Sequence, residues 1–243
     1  MSNGKRASSM VVIASSRVLA AAACAPFSKS MTEFAVLLAG EIAPTERLKA
    51  RLQPCRVVAA DAGIDHAHAL GLKPELWLGD FDSAETSIRS ASAIETRSYP
   101  TGKDKTDGEL AIEAAIERGA TSIIIAGALG GPRSDHAFSN LVLALRYAEQ
   151  GIAIELDDGR ERGWPLQPGN RLEIDLKLGT QFSILKFSDV TGLMITGAVY
   201  PLDNVAVPFA SILTQSNEAT GPISVFMAEG HAILLAQVDP AVR

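Results

Sequence analysis

Over roughly the first two-thirds of the chain, short apolar runs alternate with polar, helix-permissive stretches. Phe34 to Leu38 is the first run, closed by Ala39 and Gly40, and Thr45 to Leu52 reads as a helix. Arg56 to Ala60 is the second run, ending at Asp61, Ala62 and Gly63, and Ile64 to Leu70 reads as a short helix stopped by Gly71 and Pro74. Leu76, Trp77 and Leu78 then lead into Gly79, Asp80, Phe81, Asp82 and Ser83. Ser122 to Ala128 is a further strand, and a helix continues through Leu141, Leu143, Ala144, Leu145 and Tyr147. Strand-like runs separated by helices at this spacing predict a parallel α/β sheet, and two of its strands end in aspartate.

Beyond Gly159 the period changes. Leu172, Ile174 and Leu176 alternate with Glu173, Asp175 and Lys177, and Ser224 to Met227 and Ala232 to Val238 are further strand-like runs. Period two with glycine and proline turns predicts an antiparallel sandwich. The predicted fold is therefore α/β, with an N-terminal doubly wound, mostly parallel sheet followed by a smaller antiparallel β-sandwich domain. The expected division is residues 1–30 as a disordered leader or misannotated start, 31–158 as the α/β catalytic domain and 165–243 as the β-sandwich. The polar stretch Asp158 to Pro168, with Gly159, Gly163, Pro165 and Pro168, is read as the boundary.

The leader carries Lys5, Arg6, Arg17 and Lys29 and no acidic residue before Glu33. Its apolar run from Met10 to Cys24 is too short for a membrane span and is interrupted by Arg17. An organelle transit peptide would share this composition. Met31, just before the first strand, is favoured as the start.

Composition narrows the partners. A chain of 243 residues with 47% hydrophobic content is long enough for one large or two ordinary domains around a real core. A formal net charge of −6 argues against nucleic acid or an anionic membrane as the main partner, while leaving metal-bound polyphosphate open. Two cysteines, Cys24 and Cys55, without metal-ligand spacing or a disulfide framework, suit a reducing cytoplasm.

The candidate chemistry sits at the strand ends. Asp80 and Asp82, one residue apart, repel unless a cation lies between them, and Mg²⁺ favours carboxylate, phosphate and water oxygens. Parallel sheets place their ligand crevice at the carboxyl ends of strands. A polar turn is the plainer reading of the same residues. In the segment Tyr99 to Glu109, Thr106 and Glu109 match a capping box before the apolar face Ala111, Ile112, Ala115 and Ile116. Lys103, Asp104 and Lys105 stand immediately before that cap, where a helix amino end with two lysines attracts phosphate, and Asp107 can add a third metal carboxylate. A solvated charged loop is the alternative for this segment. The stretch Gly127 to His136 reads Gly-Ala-Leu-Gly-Gly-Pro-Arg-Ser-Asp-His. Its glycines would bring backbone N–H groups close to a phosphate, with Arg133 and His136 adding charge or donors and Asp135 beside them. The spacing fits neither the dinucleotide fingerprint nor a Walker P-loop.

Four motifs in this order, Asp61-Ala62-Gly63, Gly79-Asp80-Phe81-Asp82-Ser83, Lys103-Asp104-Lys105-Thr106-Asp107 and Gly130-Gly131-Pro132-Arg133-Ser134-Asp135-His136, resemble the thiamine pyrophosphokinase family. The resemblance extends from about Phe34 to the C-terminal region, where Thr191-Gly192-Leu193, Tyr200-Pro201-Leu202 and Ser216-Asn217-Glu218 resemble the family's thiamine-site segments. It implies transfer of a diphosphoryl group from ATP to the hydroxyethyl oxygen of thiamine, giving thiamine diphosphate and AMP. By motif, Asp80, Asp82 and Asp107 would hold Mg²⁺, with Asp61 completing the catalytic carboxylates and Asp80 or Asp107 accepting the hydroxyl proton. Lys103, Asp104, Lys105, Arg133, Asp135 and His136 would bind ATP, and Tyr200, Ser216 and Asn217 would bind thiamine. Tyr200 would offer its ring face to the thiazolium cation, and Ser216 and Asn217 would hydrogen-bond the pyrimidine. The family also implies a homodimer, with the β-domain forming the thiamine pocket across the interface. This chain departs from the pattern in Ala62, in Pro132 and in the longer connection from Gly192 to Tyr200. Two other functions fit parts of the pattern. They are an Mg²⁺-dependent aspartyl-phosphate hydrolase using Asp80 as nucleophile, and a catalytically silent thiamine or nucleotide sensor.

Overall fold

The computed structural model describes Met1 and residues 32–79, 94–99 and 104–239. The remainder of the leader and the site residues Asp80, Asp82 and Lys103 lie outside the described residues. All described elements belong to the unit Met31–Arg243.

The expected strands and helices form where the apolar runs place them. Strand β1 (Glu33–Leu37) is followed by α1 (Glu46–Leu52), β2 (Arg56–Ala60), a single 3-10 turn (Asp61–Ile64) and α2 (Asp65–Leu70). Strands β3 (Leu76–Gly79) and β4 (Glu95–Ser98) come next, then α3 (Asp107–Glu117), β5 (Ser122–Ala126), α4 (Ser134–Glu149) and β6 (Ala153–Asp157). The helix ends follow local chemistry. The Thr45 hydroxyl accepts from the Leu48 N–H at 3.2 Å, and Thr106 accepts from Glu109 N–H at 3.1 Å, each satisfying a donor left over at a helix start. Helix α2 stops at Gly71 in the left-handed conformation.

These strands pair in parallel in the order β6-β5-β1-β2-β3-β4. Alternate residues of each strand point to opposite faces, so β1 divides its side chains between two cores. Phe34 and Val36 pack with Leu110, Ile112 and Ala144 of α3 and α4. Ala35 and Leu37 pack with Leu48, Leu52 and Leu70 of α1 and α2. Helices thus cover both faces, as the near-continuous apolar character of the strands requires. The chain runs outward from β1 through β2, β3 and β4 and then returns to β5 on the other side of β1. The carboxyl ends of β1 and β5 therefore form the topological switch point of the sheet, the usual ligand crevice of such folds.

The antiparallel half comprises β7 (Glu161–Leu166), β8 (Arg171–Ile174), β9 (Gln181–Lys186), β10 (Val190–Ala198), β11 (Leu202–Val207), β12 (Asn217–Phe226) and β13 (Ala232–Gln237). Strand β12 belongs to both layers of the sandwich. Its start, Asn217 and Glu218, pairs with β9, and beyond Gly221 and Pro222 its residues Ile223 to Phe226 pair with β8. A separate core of Leu166, Phe182, Ile184, Leu193, Ile195, Val225 and Leu234 lies between the layers.

The polar stretch Asp158 to Pro168, read as a domain boundary, contains a strand, β7. β7 pairs antiparallel with β6 through Leu156↔Gly163 and Asp157↔Arg162, and with β13 along its whole length, so the sheet continues from the parallel into the antiparallel half. Gly163 sits in close packing rather than in a turn: a Cβ there would meet Leu235 Cδ2 at 2.7 Å. Pro165 lies past the residues paired to β6, where its missing N–H costs no ladder bond on that side.

Candidate active site

The carboxyl edge of the parallel sheet carries the described residues that the sequence predicted for catalysis, Asp61 and Asp107. Asp61 follows β2 directly with a backbone φ of +49°, a left-handed conformation that aspartate tolerates better than most residues. Its carbonyl accepts the indole N–H of Trp77, on the neighbouring β3, at 2.9 Å. Gly79 closes β3 beside it, and a Cβ at Gly79 would stand 3.2 Å from Asp61 Oδ1. The Asp61 carboxylate is thus laid against the backbone that leads into Asp80. Gly63 permits the same closeness one strand over, since a side chain there would overlap the Leu37 carbonyl at the end of β1.

Helix α3 brings Asp107 to this edge. Asp107 is its first residue and Gly108 its second, and a Cβ on Gly108 would reach Leu38 Cδ1 at 3.5 Å and Asn140 Oδ1 at 3.4 Å. The amino end of α3, with its partial positive charge, therefore sits at the end of β1. Lys105 is paired with Glu113 at 2.6 Å and exposed, and Asp104 lies just before it. Of the expected capping box only the threonine half forms as drawn; the Glu109 carboxylate accepts from Arg146 at 2.8 Å.

The glycine loop after β5 differs from its sequence reading in which of its groups face outward. Gly127, with φ +78°, lies so close to β1 that a side chain would overlap the Leu38 carbonyl, and Gly40 N–H donates to Gly127 C=O at 3.0 Å. The N–H groups of Gly127, Ala128 and Leu129 do not point to a ligand site. All three donate to the Asp158 carboxylate, at 2.7, 3.1 and 2.6 Å. Asp158 is buried, and burial pushes its carboxyl up to about 6 against the opposing pull of those three donors. The exposed part of the loop is Gly130 to His136. There Arg133 pairs with Asp135 at 2.6 Å, which holds the Asp135 carboxyl at about 2, and His136 is exposed beside them. Exposed pairs of this kind, like Lys105 with Glu113, are screened by solvent and hold their partners weakly.

Asp157 and Arg47 were not singled out from the sequence. The Asp157 side chain is fully buried, accepts from Arg47 at 2.6 and 2.8 Å and from Gly159 N–H at 3.0 Å, and faces Arg162 Nε at 3.5 Å. The only signal for either residue was the run Asp157-Asp158-Gly159 at the end of a strand.

In the antiparallel half, Tyr200 is exposed and Asn217 buried. The Asn217 amide holds the backbone of Tyr200: its oxygen accepts Tyr200 N–H at 3.1 Å, and its Nδ2 donates to Tyr200 C=O at 2.9 Å. Asn217 Oδ1 also accepts from Glu218 N–H at 2.9 Å. Its amide is largely engaged in fixing the tyrosine turn. Ser216 is exposed, with φ +55° and its N–H on Ser183 Oγ at 3.0 Å.

Among the described residues no group of three or more histidines, cysteines or carboxylates is gathered as a metal site, and Asp80 and Asp82 are not among them. The donors that are described, Asp61 against the Gly79 backbone and Asp107 at a helix start, are carboxylates, the type that suits a hard divalent cation. A cavity of about 460 Å³ lined by Ser122, Ala153, Trp164 and Asn170 opens at the opposite, amino-terminal edge of β5 and β6, away from these groups. No described helix is long and apolar enough to cross a membrane.

Comparison with known proteins agrees with this architecture in both halves. The family model described as "Thiamin pyrophosphokinase, catalytic domain" matches residues 51–156, and "Thiamin pyrophosphokinase, vitamin B1 binding domain" matches residues 170–230. The chain is similar to the thiamine pyrophosphokinase of Bacillus subtilis, with 31% identity over 190 residues, covering 75% of this chain and 87% of that one. The crystal structure of a Bacillus subtilis thiamine pyrophosphokinase superposes with a TM-score of 0.75 at 26% identity, covering 86% of this chain and 100% of that one. The Geobacillus thermodenitrificans enzyme's structure gives 0.73 at 27% identity, covering 86% and 99%. Two matched domains in the order of the fold, and a relative above 30% identity over most of its length, lead to one conclusion: the chain belongs to the thiamin pyrophosphokinase family.

Proposed function

We propose that this protein transfers the β,γ-diphosphoryl group of ATP to the hydroxyethyl oxygen of thiamine, releasing AMP and thiamine diphosphate. The observation that carries the reading is the convergence, at one sheet edge, of Asp61, the Gly79 backbone, the amino end of α3 with Asp107, and the exposed loop Gly130 to His136. Matching of both family domains supports it. The hydroxyl oxygen bonds to the β-phosphorus while that phosphorus separates from the oxygen bridging it to the α-phosphorus, and AMP departs with the bridging oxygen. The hydroxyl proton goes to a carboxylate, Asp80 or Asp107.

Thiamin pyrophosphokinases are ATP-using enzymes that generally need a divalent metal, and we assign Mg²⁺ here, held by Asp80, Asp82 and Asp107 with Asp61 close by. Bound there, the ion would neutralise the phosphate charge that builds up during transfer. The protein's own part is positioning. Lys103, Lys105, Arg133 and His136 bind the triphosphate, with Asp104 and Asp135 orienting the neighbouring cations, while the amino end of α3 favours the negative charge. The exposed Tyr200 ring is available to a thiazolium face, with Ser216 nearby and Asn217 holding the tyrosine backbone. We further propose a cytoplasmic homodimer; the exposed Tyr200, Phe209, Ile212 and Leu213 in the antiparallel half support a covered face there. Nucleic acid and membranes have no role in this reading.

Purified protein with ATP, Mg²⁺ and thiamine should yield equal amounts of AMP and thiamine diphosphate, identified by mass. ADP with thiamine monophosphate, or phosphate released without thiamine, would reject the reading. Trapping of a phosphorylated Asp80 would favour the hydrolase instead.

A further inference from the structure

Asp158 lies outside the motifs that carry the family resemblance, yet it ties together two loops at the carboxyl edge. Through its side chain it accepts three consecutive N–H groups of the loop after β5. Through its backbone it binds the loop after β1, accepting Ala43 N–H at 2.9 Å, and it turns the chain into β7 by donating to Glu161 C=O at 3.0 Å. Gly159 is bare because a side chain there would overlap the Ala43 carbonyl. The two loops flanking the switch point are therefore tied to one residue. Asp158 also divides the glycine loop in two: Gly127 and Ala128 are buried on the carboxylate, and Gly130 to His136 are exposed.

We propose that Asp158 is a positioning residue for nucleotide binding, whose carboxylate shapes the loop after β5 so that Gly130 to His136 face the triphosphate. The inference rests on the reading that this exposed stretch contacts ATP. A carboxylate is suited to the task because three converging N–H dipoles form a concave seat for acceptor oxygens, and the two oxygens of an internal side chain fill it. Charge-assisted bonds to two different oxygens also fix the loop in two directions, which one neutral acceptor cannot do. Substrate phosphate is thereby kept from the inner half of the loop and directed to the outer half.

The test compares Asp158→Asn, Asp158→Ala and Arg133→Ala in steady-state kinetics with ATP and thiamine varied separately, with thermal unfolding followed in parallel. Asparagine can still accept at one oxygen, but its amide would face the Leu129 N–H. Its ATP KM should rise about tenfold and that of the alanine variant further, with thiamine KM changing by less than about twofold. Arg133→Ala should also raise the ATP KM. If Arg133→Ala does so and Asp158→Asn does not, the positioning role is wrong and the loop assignment stands. Equal loss toward both substrates in the Asp158 variants would mark a purely structural effect and overturn the proposal. If neither substitution moves the ATP KM, the loop does not bind nucleotide and both readings fall. Should the alanine variant not fold, the nearly isosteric asparagine variant carries the comparison.

Discussion

Replacing Arg47 by alanine would leave the Asp157 carboxylate, which is fully buried, without its two shortest contacts. Breaking one side of a buried ion pair costs about 3–5 kcal/mol when nothing replaces it. Two features reduce that figure. Asp157 would keep the Gly159 N–H at 3.0 Å and Arg162 Nε at 3.5 Å. In addition, Arg47 is about one-third exposed, and its buried Nε has no hydrogen-bond partner among the described residues, so the intact pair already carries a desolvation cost. The expected loss is about 2–3 kcal/mol, which for a domain of this size lowers Tm by about 4–12 °C. The assay is urea unfolding of the wild type, Arg47→Ala, Asp157→Asn and the double variant. Since Arg47 also bonds the Gly159 carbonyl at 2.9 Å, the double variant retains a smaller, separate loss. A coupling energy of about 1.5 kcal/mol or more is predicted from the cycle. A coupling below about 0.5 kcal/mol would show that the pair contributes nothing beyond its separate members, and the reasoning from burial would be refuted.

Gly127→Ala combines a positive φ with a Cβ that would overlap the Leu38 carbonyl, and should cost well over 1 kcal/mol by chemical denaturation; a cost below about 0.5 kcal/mol would mean the two loops are not closely packed. Tyr200→Ala should raise the thiamine KM more than the ATP KM, and equal effects would remove the ring from the thiamine site. Asp158 makes a signed prediction for pH. Its folded carboxyl is raised to about 6 from 3.8, so its contribution is fullest below pH 4 and is lost as pH rises through 6. The stability difference between wild type and Asp158→Asn should therefore fall by roughly 2 kcal/mol from pH 4 to pH 7. A pH-independent difference would contradict a buried, titrating Asp158.

Strands β1, β2, β3 and β5 were legible because both of their faces are buried and the sequence shows apolar runs, whereas β4 is polar and mostly exposed and β6 is broken by Glu155, so neither was read. Capping at Thr106 was legible for a similar reason, being local in sequence. Within the stretch Asp158 to Pro168 the strand β7 was not legible, because glycine and proline usually mark turns. Here Gly163 is small because it lies between Leu156 and Leu235, and Pro165 stands where β6 no longer pairs. Strands β10 and β11 gave no clear period-two signal. Gly192 and Gly197 have positive φ, and the register between the two strands shifts along their length. At the site, the aspartates at strand ends could be read from the chain. The partners of the glycine loop could not, because Asp158 lies roughly thirty residues away and meets it only through the β5–β6 pairing. Asn217 is a similar case: the motif names the residue, and only the fold reveals that its amide holds the Tyr200 backbone.

The most direct test of the central claim follows two phosphorus atoms of one nucleotide. With ATP labelled separately at the α- and γ-positions, incubation with Mg²⁺ and thiamine should place the γ-label in thiamine diphosphate and the α-label in AMP, in equal amounts. A γ-label in inorganic phosphate or in thiamine monophosphate, with the α-label in ADP, would contradict attack at the β-phosphorus.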